Sequence, residues 1–306
     1  MKISHYLLGL FTCFTVTITT NAQNEAGVDS TGLPGDNFSL QGALAMFQRS
    51  GSPEDFEKLL NTQDNNVNNL DLNGDGDIDY IRVIDKADKD VHAFVLQAIV
   101  SETENQDIAV IELEKTDDTT AVLQIIGDED IYGEQVIVEP DGGGSDDDAF
   151  IYDLNNTVAH GPDANYYNRE TRVVVNVWFW SPVRFVYAPS YRPWVSGWRW
   201  RHYPAWWRPW RPFAWHAWHP RFVAYHRPFV VVRTHRVVRA HAIYRPARVT
   251  SVSVRTRHAT AVNGYRVTRT KTTVTGPRGR QATKTTTTVR GRGGNVKAKK
   301  TTIKRR

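Results

Sequence analysis

An α+β fold is predicted for residues 38–140, with two short helices packed on an antiparallel β-meander. A β-hairpin, an irregular Trp-Arg-Pro-rich region and a disordered basic tail are expected to follow. Three observations lead there. Two capped helical segments open the stretch, and from residue 79 the apolar residues adopt a period of two over five strand-length runs. Composition then sets the boundaries. All ten tryptophans fall between Trp178 and Trp218; all 33 acidic residues and 8 basic ones lie within residues 1–170, while residues 171–306 hold 30 Lys and Arg and no acid. A net −25 thus faces a net +30, so each half is assigned partners separately. The two halves are expected to attract one another through a diffuse contact that fades as the Debye length shrinks to about 3 Å at 1 M salt.

Residues 1–22 have the form of a cleavable secretory signal: Lys2, the apolar run Tyr6 to Phe14, and small residues at Thr20 and Ala22 before Gln23. Cys13, preceded by Leu-Phe-Thr, is the single cysteine. Cleavage would leave a chain with no thiol, and hence no disulfide framework, thiol nucleophile or thiolate metal site. Residues 23–37 form a polar, Gly-rich leader expected to be flexible. Ser39 caps a first helix through Ala43, Leu44, Met46 and Phe47, stopped by Gly51. Ser52-Pro53-Glu54-Asp55 opens a second, with proline at the first helical position and acids in the first turn ahead of Phe56, Leu59 and Leu60.

Strands are expected at Asp79–Asp85, Val91–Val100, Asp107–Glu114, Ala121–Ile126 and Gln135–Val138. Residues 141–171 read as an acidic Gly/Asp linker, since Asp141-Gly-Gly-Gly-Ser-Asp-Asp-Asp148 has no apolar side chain to bury. Within the basic region, residues 172–249, the run Arg172 to Tyr187 is apolar and β-rich. Ser181-Pro182 suggests a hairpin turn there, and Pro182 and Arg184 argue against a membrane span. The recurrent R-P-W, W-R and H-P units beyond it favour extended segments. Residues 250–306 are a Val/Thr/Arg/Lys low-complexity tail expected to be disordered, with Asn263-Gly264 as a hairpin-turn signal.

Asp71 to Tyr80 reads DLNGDGDIDY. Oxygen-bearing side chains at Asp71, Asn73, Asp75 and Asp79, a glycine at Gly76 and the Asp77 carbonyl suit a hard cation that wants six to eight oxygens. The plain alternative is an Asx-rich turn. The stretch resembles the D-x-[DN]-x-D-G-x-x-D loops of FG-GAP/VCBS, thrombospondin type-3 and dockerin repeats, and is most similar to the FG-GAP/VCBS form, in which the loop runs into a strand. That resemblance implies calcium held by Asp71, Asn73, Asp75, Asp77 and Asp79. Arg82 stands where an EF-hand has its bidentate glutamate, and one copy of the loop excludes a propeller. The whole chain also resembles secreted proteins of Bacteroidota that combine a signal peptide, an acidic domain with this loop and a Trp/Arg/His-rich tail; this implies export and the domain division.

Residues 172–269 contain eighteen arginines and no lysine. Arginine pairs bidentately with phosphate, sulfate or carboxylate and stacks on aromatic faces. The expected partners are therefore anionic polysaccharide, lipopolysaccharide or a membrane surface, with nucleic acid as the alternative. Trp–Arg stacking into a self-satisfied mini-domain is the bland reading. His216 and His219, with His202, His226, His235 and His241 nearby, have the residue type of a zinc or copper site. No Cys, Asp or Glu lies in that region and arginines crowd it, which favours incidental histidines. No nucleophile elbow, HExxH helix or phosphate-binding glycine loop occurs. The resulting expectation is a non-enzymatic protein exported to the periplasm, outer surface or medium, with a calcium-stapled domain presenting a basic aromatic arm.

Overall fold

A computed structural model describes residues 30–141, 174–264, 267–275, 281–290 and 296–305. The expected signal peptide, the leader up to residue 29 and nearly all of the linker lie outside the described residues, as do residues 172 and 173 of the expected hairpin.

Helix α1 (Leu40–Arg49) begins where Ser39 accepts a hydrogen bond from the Gly42 N–H at 2.9 Å. Helix α2 (Pro53–Leu60) begins where Ser52 accepts from the Asp55 N–H at 3.1 Å, with Pro53 at a position whose missing N–H costs nothing. Phe47 of α1 meets Phe56 of α2 edge-on at 5.3 Å and Phe94 of the sheet at 5.3 Å. Strands β1 (Ile81–Asp88), β2 (Val91–Ile99), β3 (Asn105–Asp117), β4 (Thr120–Gly127) and β5 (Val136–Pro140) pair antiparallel in chain order, which is the expected meander. A short helix α3 (Glu129–Tyr132) joins β4 to β5, capped by Asp128.

Period two gives this sheet two faces. Val83, Phe94, Leu96, Ile111, Leu113, Leu123, Ile125 and Val138 pack toward α1 and α2 in the main core. Ala93, Val95, Val110, Ile126 and Ile137 point the other way, into a smaller core. That second face is covered from beyond residue 170. Strand β6 (Phe229–Val232) pairs antiparallel with β5, with Val138 opposite Val231, so it becomes the sixth strand. Helix α6 (Val238–Tyr244) lays Tyr244 into the second core and Ala240 beside Val91.

Five expectations are corrected. The hairpin over Arg172 to Tyr187 is instead helix α4 (Ser181–Val186), because Pro182 sits in a helical first turn rather than a β-turn. Its Val183 and Val186 enter the main core. The basic region 172–249 is not a separate arm, since Val177, Val183, Val186 and Phe229 share that core with residues 38–140. The end of the leader is held: the Asp36 carboxylate accepts from the Ser30 and Thr31 hydroxyls and the Gly32 N–H, and Leu33 is buried. Asn263-Gly264 ends helix α7 (Val252–Gly264) instead of turning a hairpin; that helix starts where the Ser251 hydroxyl accepts from the Val254 N–H. Finally, the tail forms β7 (Val267–Thr275), β8 (Gln281–Arg290) and β9 (Val296–Arg305) in a second antiparallel sheet. Threonine favours this state even where apolar groups are few, and the backbone register sets Thr270 opposite Thr286 and Thr286 opposite Thr301. Between β5 and α6 lies helix α5 (Trp215–Phe222), where Trp218 is fully buried.

Candidate functional site

Strands β3, β4 and β5 place an acid or amide at alternate positions of the second face. Glu112 lies opposite Gln124, and Gln124 donates to Glu139 Oε2 at 2.7 Å. Glu112, Gln124 and Glu139 are all buried, as is Asp107 further along β3. Buried carboxylates are tolerated only when paired and hydrogen-bonded. The basic half supplies the partners. Arg239 Nε reaches Glu114 at 2.9 Å, Arg236 Nε reaches Glu139 at 3.2 Å, and Arg248 takes both Asp128 and Asp130. The Val249 N–H donates to Asp107 at 2.8 Å and the Tyr244 hydroxyl at 3.1 Å. Burial raises the Asp107 carboxyl above its ordinary range, opposed by hydrogen bonds from Gln97, Val249 and Tyr244. The contact expected between the halves is present, but it is a set of specific buried pairs and a strand pairing rather than a diffuse attraction.

The arginines then divide into two groups. Arg236, Arg239, Arg248 and Arg255 pair with acids of residues 38–140. Arg192, Arg199, Arg201, Arg208 and Arg211 are exposed, and among the described residues none of them pairs with a carboxylate. Their nitrogens rest on local groups: Arg192 donates to the Tyr191 carbonyl, Arg208 to the carbonyls of Ala205 and Trp207, and Arg201 sits 5.9 Å from the Trp200 ring. Trp206 is 47% exposed and Trp198 36%. The same segment is anchored by its buried side: Trp207 meets Tyr80 edge-on at 5.0 Å and Tyr203 at 4.6 Å. Instead of stacking on arginines in a mini-domain of their own, Trp207 and Trp218 are buried against the acidic half, at Tyr80 and the Asp36 carbonyl, while Trp198 and Trp206 stay exposed.

This anchorage falls on both ends of the acidic loop. Phe213 and Asn69 exchange two hydrogen bonds, of 2.7 and 3.0 Å, and the Ile78 N–H donates to the Trp210 carbonyl at 2.9 Å. Within the loop, Asp71 accepts from the N–H groups of Gly74, Asp75 and Gly76, and Asp75 from that of Asp77. Asn73 bridges to Asp75 Oδ2 at 3.0 Å and to the Val100 carbonyl at 3.2 Å. Gly74 and Gly76 take φ of 72° and 89°, a left-handed conformation that requires glycine. Asp79 is buried and accepts from the Leu72 N–H at 2.6 Å. Its carboxyl is raised well above the usual range, chiefly by desolvation, with Asp71 and Asp75 adding repulsion.

Among the described residues, the three acid or histidine ligand atoms that lie within 4.8 Å of one another belong to Glu112, His235 and His241, not to the Asp71–Asp79 loop. No helix of the described residues is long and apolar enough to cross a membrane. Comparison with protein-family models, with curated proteins and with solved structures returns no match.

Proposed function

We propose that this is an exported, non-enzymatic envelope or cell-surface protein whose Arg/Trp segment between residues 192 and 211 binds anionic polysaccharide, lipopolysaccharide or membrane surface. A calcium ion in the Asp71–Asp79 loop would secure the base of that segment. The observation that carries the reading is the division of the arginines: Arg236, Arg239 and Arg248 are taken by acids of residues 38–140, while five exposed arginines in the segment that carries Trp198 and Trp206 have no carboxylate among the described residues. Guanidiniums next to exposed indoles suit a ligand offering phosphate, sulfate or carboxylate groups on an apolar or sugar framework. The sequence-level signal of export supports the location. In calcium, Asp71, Asn73, Asp75 and Asp79 would supply side-chain oxygens and Asp77 its carbonyl; the ion's part would be cohesion of the loop.

Binding of the purified chain to lipopolysaccharide, to heparin, to anionic vesicles and to duplex DNA, each at low and physiological salt, tests this. Replacing Arg199, Arg201 and Arg208 together by alanine is expected to weaken binding and flatten its salt dependence. Replacing Trp198 and Trp206 should remove the salt-resistant part. An unchanged affinity in the triple arginine variant would end the proposal, and a preference for duplex DNA at matched salt would favour a nucleic-acid partner instead.

A further inference from the structure

We propose that Glu112, His235 and His241 form a binding site for one divalent transition cation of the zinc class. His235 Nε2 lies 2.6 Å from Glu112 Oε2, and His241 Nδ1 lies 2.6 Å from Glu112 Oε1. The two imidazoles meet edge to face with centroids 4.6 Å apart, and the three ligand atoms lie within 4.8 Å of one another. Two neutral imidazoles and one carboxylate are a donor set that zinc takes readily, leaving a fourth position for water.

The surroundings remove both objections that the sequence raised. The acid missing from the histidine-rich region arrives from β3, more than a hundred residues earlier in the chain. The neighbouring arginines do not oppose a dication as free charges, because Arg236 is paired with Glu139 and Arg239 with Glu114. Gln124, directly across from Glu112, is uncharged and committed to Glu139 and to the Thr234 carbonyl.

The arrangement is graded toward solvent. The Glu112 side chain is fully buried, whereas those of His235 and His241 are 20% and 18% exposed, so a cation enters from the histidine side. Each ligand sits on a separate piece of the fold: Glu112 in the middle of β3, His235 just after β6, and His241 within α6. To admit an ion with bonds of about 2.0–2.1 Å, the two 2.6 Å contacts open to about 3.3 Å, the edge of a tetrahedron of that size. The half-buried histidines make that adjustment, while Glu112 stays fixed by its strand. A cation here ties the covering segment to the sheet.

A polar clasp, with both histidines only hydrogen-bonding Glu112, gives the same geometry without metal, so the test separates the two. The full mature chain is stripped with chelator and titrated with Zn²⁺ by calorimetry and with Co²⁺ by visible absorption. One equivalent and the absorption of four-coordinate cobalt are expected. The variants His235→Gln and His241→Asn keep an N–H near Glu112 but weaken the ligand. Each is expected to lose roughly 100-fold or more in zinc affinity, beyond the typical effect of an outer-shell change, with the far-UV dichroism unchanged. In the unaltered chain, zinc should protect His235 and His241 from acylation by diethyl pyrocarbonate and leave the exposed His202 and His216 reactive. Absence of stoichiometric binding, wild-type affinity in folded variants, or equal acylation of His235 and His241 with and without zinc would each overturn the proposal.

Discussion

Arg248 closes on Asp128 with two nitrogens at once, Nε 2.5 Å from Oδ2 and Nη2 2.8 Å from Oδ1, while Asp128 also accepts from the Asp130 N–H to cap α3. One residue of the basic half thereby completes a helix cap in the acidic half. Burial raises the Asp128 carboxyl and the Arg248 guanidinium pulls it back down; the same hydrogen bonds raise Arg248 still further above its ordinary range.

Removing Arg248 leaves a buried carboxylate with its charge unpaired. Arg248→Met is expected to destabilise by about 3–5 kcal/mol, the cost usual for breaking a buried pair from one side. Changing Asp128→Asn as well should recover part of that loss. Urea unfolding of the single and double variants measures both, and additive losses would show that the pair is uncoupled.

Trp218 and Trp206 are predicted to behave oppositely. Trp218 is fully buried and its indole N–H donates to the Asp36 carbonyl at 2.9 Å. Its replacement by alanine should cost about 3–5 kcal/mol. Trp206→Ala, at a site 47% exposed, should stay within roughly 0.5 kcal/mol of wild type. Thermal melts compare the two, and a large loss at Trp206 would make that ring structural.

Mild acid should weaken the fold through His226. Burial, with His219 adding, depresses the His226 pKa to about 4. The folded imidazole therefore stays neutral where the unfolded one takes a proton. The stability is complete above about pH 6.5 and is lost as pH falls toward 4, at up to about 1.4 kcal/mol per pH unit. Asp36, raised by burial, acts in the opposite sense, gaining stability as it protonates. His226→Phe, which preserves an aromatic ring beside Phe222, should flatten the difference in urea midpoint between pH 7 and pH 5. A variant with the same pH dependence as wild type would assign the acid sensitivity elsewhere.

Calcium at 100-fold above its dissociation constant is expected to stabilise the chain by about 2.7 kcal/mol. Asp75→Ala should abolish the effect. Equal melting midpoints with calcium and with chelator in wild type would reduce the Asp71–Asp79 loop to an Asx-rich turn.

The legible part of this fold was local. Ser39 and Ser52 act as caps as the sequence predicts, and period two marks β1 to β5, because each signal involves residues a few positions apart. What stayed hidden depends on distant partners. Glu112 and Glu114 alternate with Ile111 and Leu113 in a way that fits a strand facing water as well as one facing a basic partner; only the complementary charge of residues 171–306 hinted at the second. His235 and His241 lacked a visible acid because Glu112 sits on another strand. Phe229 to Val232 is too short to announce a strand, and takes that form by pairing with the bare edge of β5.

That pairing also dictates an order of events during synthesis. Until residues 229–232 have emerged, β5 presents an open row of backbone donors and acceptors, and Val138 waits for Val231. Glu112, Glu114 and Glu139 wait longer still, for residues 235 to 241. A nascent acidic half is consequently an unfinished template with a free strand edge, exposed to joining the edge of another chain. Folding only after residues 229–241 are available lets β6 and its template meet in the same chain.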